Sequence, residues 1–468
     1  MRYLLLLLAA ASLPAAAAAA RAAPQRPQTT PGQIADEVSQ ERLHAIVEKL
    51  VSFGTRHTLS SQTDPKRGIG AALDWAADEF GRYARACGGC LTIVRPSDVV
   101  TGKRVPNPTK VTDIVAIQRG SVDPNRVVII TGHIDSRVTD VMNATADAPG
   151  ANDDGSGTAA VIEAARVLSR HKFPYTIVYG ALMGEEQGLL GGKVLADYAK
   201  AQGWTVIAQL NNDIIGNSCG SDGVCDDAHV RVLSEGPRWQ GAEALLPQWR
   251  SLGGENDSPS RNISRWIDGL ADDLSLGLQV RQIWRSDRYG RGGDHLPLLE
   301  AGFPAIRLTV AVENYNWQHQ DLRTENGIEY GDTIDKVDFP YLTKVVKLNV
   351  AALAALARAP QPPEPTIEGA VSTDTSLTWP GVKGAAAYIV RWRPTDAADW
   401  QHSVRHPAIL CGSPDSAATP CRVTLPHVRV DDWVFGVSSV SAEGYESPVA
   451  SAVPGGAFRP YTPPPATP

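Results

Sequence analysis

Histidine and acidic residues of metal-ligand type occur in four short motifs, three directly after an apolar run and one at the start of a helical pattern. In chain order they are His133 and Asp135, Asp153, Glu185 and Glu186, and Asp213. Taken singly, each motif has an ordinary explanation: a hydrogen-bonded turn, a helix cap or a solvated acidic face. Residues that follow parallel strands meet at one edge of a sheet, so together they predict a functional site there.

Several carboxylates and an imidazole at one edge would repel one another or stay unpaired unless a cation neutralised them. Histidine nitrogen mixed with carboxylate oxygen, without thiolate, favours zinc over calcium and leaves manganese and cobalt as alternatives. Two histidines and three carboxylates are typical of a two-metal site in which one carboxylate bridges the ions. The second histidine must lie downstream, where His295 and His319 are the candidates.

The segments around these motifs alternate between strand and helix patterns. The β-branched run at residues 126–131 predicts a strand that is covered on both faces of a sheet. Further strands are predicted at residues 111–118, 175–182 and 205–210, and helices at 34–50, 70–86, 156–170, 188–200 and 341–359. This alternation predicts an α/β fold with a mainly parallel central sheet flanked by helices.

The sequence pattern changes after a Pro-rich linker that follows residue 359. Short β patterns then alternate with turns, at residues 376–379, 387–392, 408–410, 422–425 and 433–440. Regular short strands of this kind predict a small all-β sandwich.

The N-terminus has the composition of an export signal: Arg2, an apolar stretch at residues 4–13 and an Ala run at 15–20. The six cysteines form three close pairs, which predicts local disulfides in an oxidising compartment. A redox or zinc motif is the alternative for Cys87 and Cys90. We therefore expect an exported protein, periplasmic or extracellular.

Composition also limits the partners. The net charge is −7 and no Lys/Arg run is present, which disfavours nucleic-acid binding. No stretch after the signal reaches about 20 apolar residues, so no membrane span is expected once the signal is removed.

The order and spacing of the motifs resemble the secreted zinc aminopeptidases of peptidase clan MH, of the bacterial leucyl aminopeptidase type. The resemblance covers residues 34–359 and implies two Zn²⁺ per chain. It implies that Asp153 bridges the ions, that His133 and Asp213 complete one site, and that Glu186 and His319 complete the other.

The same resemblance implies two catalytic roles. Glu185 would be the general base, and Asp135 would orient His133 through its other ring nitrogen. The family's Ser-Asp-His element occurs as Gly293-Asp294-His295, and His319 lies 24 residues beyond it. That spacing favours His319 over His295 as the last ligand, although an extra stretch at residues 322–330 follows His319.

The region after the linker resembles a fibronectin type III module, on the basis of Trp379, Tyr388 and residues 434–447. The chain is thus predicted to contain a signal peptide (1–23), a flexible lead-in (24–33), a zinc peptidase domain (34–359), a linker (360–366), a fibronectin type III-like domain (367–457) and a disordered tail (458–468). The partner of the β-module is not identifiable from the sequence.

The function implied is removal of N-terminal residues from peptide substrates. One alternative is a carboxypeptidase or other amidohydrolase on the same scaffold, which includes the single-zinc glutaminyl cyclases. The other is a non-catalytic, peptidase-like binding protein. The complete ligand set favours an enzyme.

Overall fold

A computed structural model describes residues 29–236, 238, 242–411 and 420–458. The predicted signal peptide and all but the first residue of the predicted tail lie outside these residues. The helices are α1 Pro31–Ala35, α2 Gln40–Val51, α3 Ile69–Ala86, α4 Gly155–Leu168, α5 Leu190–Ala201, α6 Leu246–Ser251, α7 Pro259–Leu274, α8 His295–Glu300 and α9 Phe339–Leu356.

The strands fall into one large sheet, two hairpins and a C-terminal pair of sheets. They are β1 Leu91–Val94, β2 Ser97–Gly102, β3 Val105–Thr112, β4 Ile114–Gln118, β5 Asp123–His133, β6 Tyr175–Leu182, β7 Thr205–Asn212, β8 His229–Ser234, β9 Gln279–Ile283, β10 Ala305–Val310, β11 Arg323–Glu325, β12 Ile328–Tyr330, β13 Thr366–Glu368, β14 Thr375–Trp379, β15 Ala387–Pro394, β16 His402–Pro407, β17 Cys421–Leu425, β18 Trp433–Val440 and β19 Ala450–Ser451.

The large sheet has the order β1-β4-β6-β5-β7-β10-β8-β9. Its centre is parallel, since β5 pairs in parallel with β6 and β7, and β7 pairs in parallel with β10. Alternate residues of β5 face opposite layers. Val128 and Ile130 join the larger core, and Val127 and Ile129 pack in the smaller core beside α5 and α8. The predicted α/β fold with a helix-flanked, mainly parallel central sheet is confirmed.

Two N-terminal predictions were wrong in their boundaries. The helix predicted at residues 34–50 is two helices, because Ser39 caps α2 by accepting a hydrogen bond from the Arg42 N–H. The first helix begins at Pro31, inside the predicted lead-in, where Thr30 and Gln33 form a capping box.

The strand predicted at residues 111–118 is interrupted at Asp113. The buried Asp113 carboxylate accepts a hydrogen bond from the Met183 N–H at 3.0 Å. Here the chain leaves the β2–β3 hairpin and enters the large sheet as β4.

After α9 the chain forms two small sheets around one core. Leu377 and Trp379 of one sheet pack with Tyr388 and Phe435 of the other, as expected for a small all-β sandwich. The strand predicted at residues 408–410 is instead a short 3₁₀ helix. The likeness to a fibronectin type III module stays a prediction.

The sandwich packs on the α/β part of the chain through α7 and the loop before it. Arg393 donates to Asp257 Oδ2 at 2.6 Å, and both side chains are buried. Ser451 donates to the other Asp257 oxygen at 2.9 Å and accepts from the Asn262 amide. The Asp257 carboxylate therefore has a donor on each of its oxygens.

The three predicted local disulfides are present, Cys87–Cys90, Cys219–Cys225 and Cys411–Cys421. Among the described residues, one helix, α9, is long and apolar enough to cross a membrane. Most of its side chains are buried inside the protein, as in a core helix.

Candidate metal centre

The predicted ligands lie where the parallel strands end. His133 is the last residue of β5, Asp213 follows β7, and Glu186 lies in the turn after β6. Because β5 lies between β6 and β7, these three side chains reach the same edge of the sheet. Asp153 lies in the turn that precedes α4, and His319 lies in the loop after β10.

One cluster, which we call the inner group, contains His133, Asp153 and Asp213. The His133 Nε2 atom lies 3.2 Å from Asp153 Oδ1 and 3.9 Å from Asp213 Oδ1. All three side chains are buried.

A second cluster, which we call the outer group, contains Asp153, Glu186 and His319. The His319 Nε2 atom lies 2.8 Å from Asp153 Oδ2 and 2.9 Å from Glu186 Oε1. In each group, the potential ligand atoms all lie within 4.8 Å of one another. Asp153 therefore presents one oxygen to each group, which is the arrangement of a bridging carboxylate.

The chemistry of the two groups fits divalent metal ions. Glu186 Oε1 is buried and forms no hydrogen bond, because the His319 Nε2 atom 2.9 Å away is not aligned for one, so this oxygen is available to a metal ion. Burial alone would raise the pKa of the Asp153 carboxyl, but the neighbouring His319 and His133 imidazoles hold that pKa well below its usual range. An ionised bridging carboxylate beside imidazole nitrogens suits zinc.

Asp135 organises the turn that carries the two glutamates. Its carboxylate accepts hydrogen bonds from the backbone N–H groups of Gly184, Glu185 and Glu186, at 2.9, 3.2 and 3.2 Å. The His133 Nδ1 atom lies 3.1 Å from the Asp135 backbone carbonyl and 3.5 Å from its carboxylate. The carbonyl is thus the nearer partner of the imidazole, and the carboxylate mainly fixes the glutamate turn.

Two further acids hold the Asp153 turn, and sequence analysis did not single them out as site residues. Asp154 caps α4 by accepting from the Gly157 N–H and also accepts from the His133 N–H, both at 2.9 Å. Asp332 accepts from the Asn152 and Asp153 N–H groups at 2.9 and 2.7 Å. The extra stretch after His319 forms the β11–β12 hairpin, and the chain still returns Asp332 to this turn.

Two arginines that sequence analysis missed contact the ligands. Arg137 donates to Glu186 Oε2 at 2.8 Å, and its Nη2 lies 2.7 Å from His319 Nδ1. Arg307 lies 2.7 Å from Asp213 Oδ1 and is fully buried. Arg307 interrupts the apolar run of β10, and a charged residue inside such a run is a usable signal of a buried ion pair.

His295, the other candidate for the last ligand, lies outside both groups. Its Nε2 atom is 2.6 Å from the Ser286 carbonyl, and the ring is fully buried at the start of α8. Burial lowers the pKa of His295 to about 4. The ring is therefore neutral at pH 7 and bonded to the backbone.

Glu185 lies beside the two groups at a cavity of about 600 Å³, which Asp153, Glu186 and His319 also line. Its side chain is half-buried. Burial raises the pKa of the Glu185 carboxyl well above its usual range. A carboxyl with a raised pKa is a better proton acceptor than an ordinary glutamate and can return the proton later.

A known protein family matches the part of the chain that contains the site. This family, described as "Peptidase family M28", matches residues 113–338. The chain is 43% identical to a probable zinc metalloprotease of the fungus Pyrenophora tritici-repentis, over 92% of this chain and 88% of that protein. It is 44% identical to a probable zinc metalloprotease of Leptosphaeria maculans, over 90% of this chain and 96% of that protein. These relatives are fungal, whereas the motifs suggested a bacterial type.

Among solved structures, the LapA aminopeptidase of Legionella pneumophila has the same fold. The TM-score is 0.51 at 20% identity, and the match covers 69% of this chain and 73% of that one. The chain is related to the fungal proteins, because the identity of 43–44% extends over nearly its whole length. The family match also covers the residues of the site. The chain belongs to peptidase family M28.

Proposed function

We propose that the protein is a zinc-dependent aminopeptidase that removes N-terminal residues from peptides. The observation that carries this proposal is that Asp153 shares its two oxygens between the inner and outer groups, beside Glu185 and at an open cavity. The names of the fungal relatives and of the Legionella enzyme support the zinc and peptidase assignments.

In this proposal His133, Asp153 and Asp213 hold one ion, and Asp153, Glu186 and His319 hold the other. Zinc, when bound, supplies a Lewis acid and a water of lowered pKa. The Glu185 carboxylate takes the proton of the attacking water and returns it to the leaving amine. Asp135 keeps Glu185 at the cavity because it fixes the backbone of the turn.

The first test is hydrolysis of leucyl-p-nitroanilide by the purified protein, before chelation, after chelation and after zinc is restored. We expect activity to be lost and then regained. No hydrolysis of either leucyl- or glutamyl-p-nitroanilide by the zinc-loaded protein would contradict the aminopeptidase assignment. A parallel assay with N-blocked peptides covers the carboxypeptidase alternative, and absence of bound zinc would favour the binding-protein alternative.

The general-base role has its own test. Glu185→Gln should retain both zinc ions and lose nearly all turnover, because the ligand set is intact but the proton acceptor is gone. Glu48→Gln, at an exposed site on α2, is the matched control and should retain activity. Full activity of a zinc-loaded Glu185→Gln protein would rule out Glu185 as the base.

We also propose that the protein is exported. The three disulfides among the described residues support an oxidising compartment, in agreement with the N-terminal composition. Mass spectrometry of protein recovered from the extracytoplasmic fraction should find an N-terminus close to residue 24. Full-length protein confined to the cytoplasm would contradict this proposal.

A further inference from the structure

We propose that the cavity binds a carboxylate of the substrate, and that the enzyme therefore prefers peptides that carry a carboxylate close to the cleaved bond. Two sources have this chemistry: the side chain of an acidic N-terminal residue and the α-carboxylate of a short peptide. This inference rests on the proposed function, because it names the substrate class of the same site.

The residues that line the cavity are mostly of polar or charged type and include several with guanidinium groups. Four arginines line it: Arg104, Arg137, Arg288 and Arg291. Among the described lining residues, large apolar or aromatic side chains are limited to Leu189 and Tyr315. A pocket for a leucine-like side chain would present a mainly apolar wall. This wall instead offers hydrogen-bond donors with positive charge.

The charge balance becomes positive when metal binds. The carboxylates that line the cavity are Asp153, Glu185, Glu186 and Asp213, so they match the four arginines in number. Three of these four carboxylates belong to the inner and outer groups. Each divalent ion adds two positive charges beside these carboxylates, so metal binding makes the cavity more attractive to an anion.

The four arginines differ in how far they are already paired. Arg288 is almost buried and contacts Asp287 and Glu313 at 3.0 and 3.1 Å. Arg291 reaches the same Glu313 oxygen at 3.2 Å, so two guanidinium groups share one oxygen. Arg137 is engaged by the outer group. The charges of these three residues are therefore already paired with carboxylates, and few of their N–H groups are available to a ligand.

Arg104 is the residue with free donors. It lies in the turn of the β2–β3 hairpin, beside the buried anchor Val105, and its side chain is exposed to the cavity. One guanidinium nitrogen donates to the Glu186 backbone carbonyl at 2.9 Å. No ion pair of Arg104 occurs within the described parts of the chain. A guanidinium group placed beside the outer group, with its other N–H groups open, is suited to a carboxylate.

The activity test compares glutamyl-, glutaminyl- and leucyl-p-nitroanilide. We expect kcat/KM to be highest for the glutamyl substrate. Arg104→Gln should lower that value about tenfold or more, because a hydrogen bond to a charged group is lost, and should change the other two little. Arg104→Lys should restore part of the preference. Lys103→Gln, at the exposed neighbouring position, is the control for a general loss of charge.

The source of the carboxylate is separated by a second pair of substrates. Leucyl-alanine carries an α-carboxylate and leucyl-alaninamide does not. A preference for the free dipeptide that depends on Arg104 would assign the chain terminus, and a preference only for the glutamyl anilide would assign the side chain. An equal loss on all substrates in Arg104→Gln would mean that Arg104 only positions Glu186, and would overturn the inference.

Binding gives a readout that does not need turnover. Calorimetry on the zinc-loaded protein would compare L-glutamate, L-glutamine and L-glutaminamide, which differ by one carboxylate at each step. Binding of glutamate that weakens in Arg104→Gln supports the inference even if no anilide is hydrolysed, in which case the aminopeptidase proposal fails alone. Rapid leucyl-p-nitroanilide hydrolysis, with both glutamate and glutamine bound no better than glutaminamide, overturns the inference alone.

Discussion

The inner and outer groups share Asp153 but are supported differently. In the inner group His133 and Asp213 stand at the ends of neighbouring strands, and both side chains are buried. In the outer group His319 lies in a loop, and its side chain is 20% exposed. The sheet therefore fixes one half of the centre, while the other half depends on loop contacts.

The backbone of His319 adds to this difference. Its φ angle is +56°, in the left-handed region that costs a non-glycine residue about 1–2 kcal/mol. The side-chain contacts of His319 with Asp153, Glu186 and Arg137 have to offset that cost. The outer group should therefore be the easier one to lose.

We expect the largest effect when Asp153, the residue that the two groups share, is replaced. Asp153→Ala should lose metal from both groups, because each group loses an oxygen ligand from the same side chain. Zinc content after dialysis, measured by atomic emission, should fall from two ions per chain to nearly none. The exposed Asp140→Ala is the matched control. Two tightly bound zinc ions in Asp153→Ala would contradict the bridging geometry.

Replacement of His319, the histidine in the loop, should remove metal from the outer group only. His319→Ala should retain about one zinc per chain, since the inner group keeps its three residues on the sheet edge. The same measurement on His295→Asn should still give two ions. Loss of both ions in His319→Ala would show that the two groups are not separable.

A smaller effect is expected from the residue beneath the glutamate turn. Asp135→Asn keeps the size of the side chain but weakens its acceptance of three N–H bonds, so Glu186 should be held less well. We expect zinc affinity to fall about 10–100-fold, mainly in the outer group. Competition with a fluorescent chelator measures this change. An equal change in both groups would point instead to the contact between Asp135 and His133.

The smallest effect concerns His295 and appears only in the pH dependence of stability. The folded pKa is about 4, and the unfolded value is about 6.5. Between these values the unfolded chain binds the proton more tightly, so acid destabilises the wild type. From pH 7 to pH 5 the contribution of His295 to the free energy of unfolding should fall by about 2 kcal/mol.

His295→Asn removes this titration. The gap in unfolding free energy between wild type and variant should therefore narrow as the pH decreases from 7 to 5. Urea unfolding at both pH values, with zinc present, measures the gap. A gap that is constant with pH would show that His295 has an ordinary pKa in the folded protein.

The central strands of the sheet could be predicted from the sequence because their apolar residues can be buried only between two layers of helices. The run at 175–182 coincides with β6, and every residue of that strand is buried. A continuous apolar run between polar segments has one stable place, the middle of a covered sheet. The motifs that follow such strands were consequently brought together as expected.

The outer part of the sheet and the supporting residues could not be predicted in the same way. The strand β9 is only half-buried, and β10 contains Arg307, so neither shows a clean apolar pattern. Their strand conformation depends on pairing with β8 and β7. Likewise, the contact of Arg104 with the glutamate turn depends on where the β2–β3 hairpin folds, which spacing along the chain does not encode.

The buried pair of Arg393 and Asp257 has a consequence for how the molecule unfolds. A chain shortened to end at Ala359 would lose both donors to Asp257 and would expose to water the part of the larger core that packs on Ala450 and Phe458. The C-terminal sandwich is therefore a cooperative part of the native state, and the two halves should melt in one transition. The Pro-rich linker lies between two different architectures, but we do not expect a chain cut at this linker to keep its native stability.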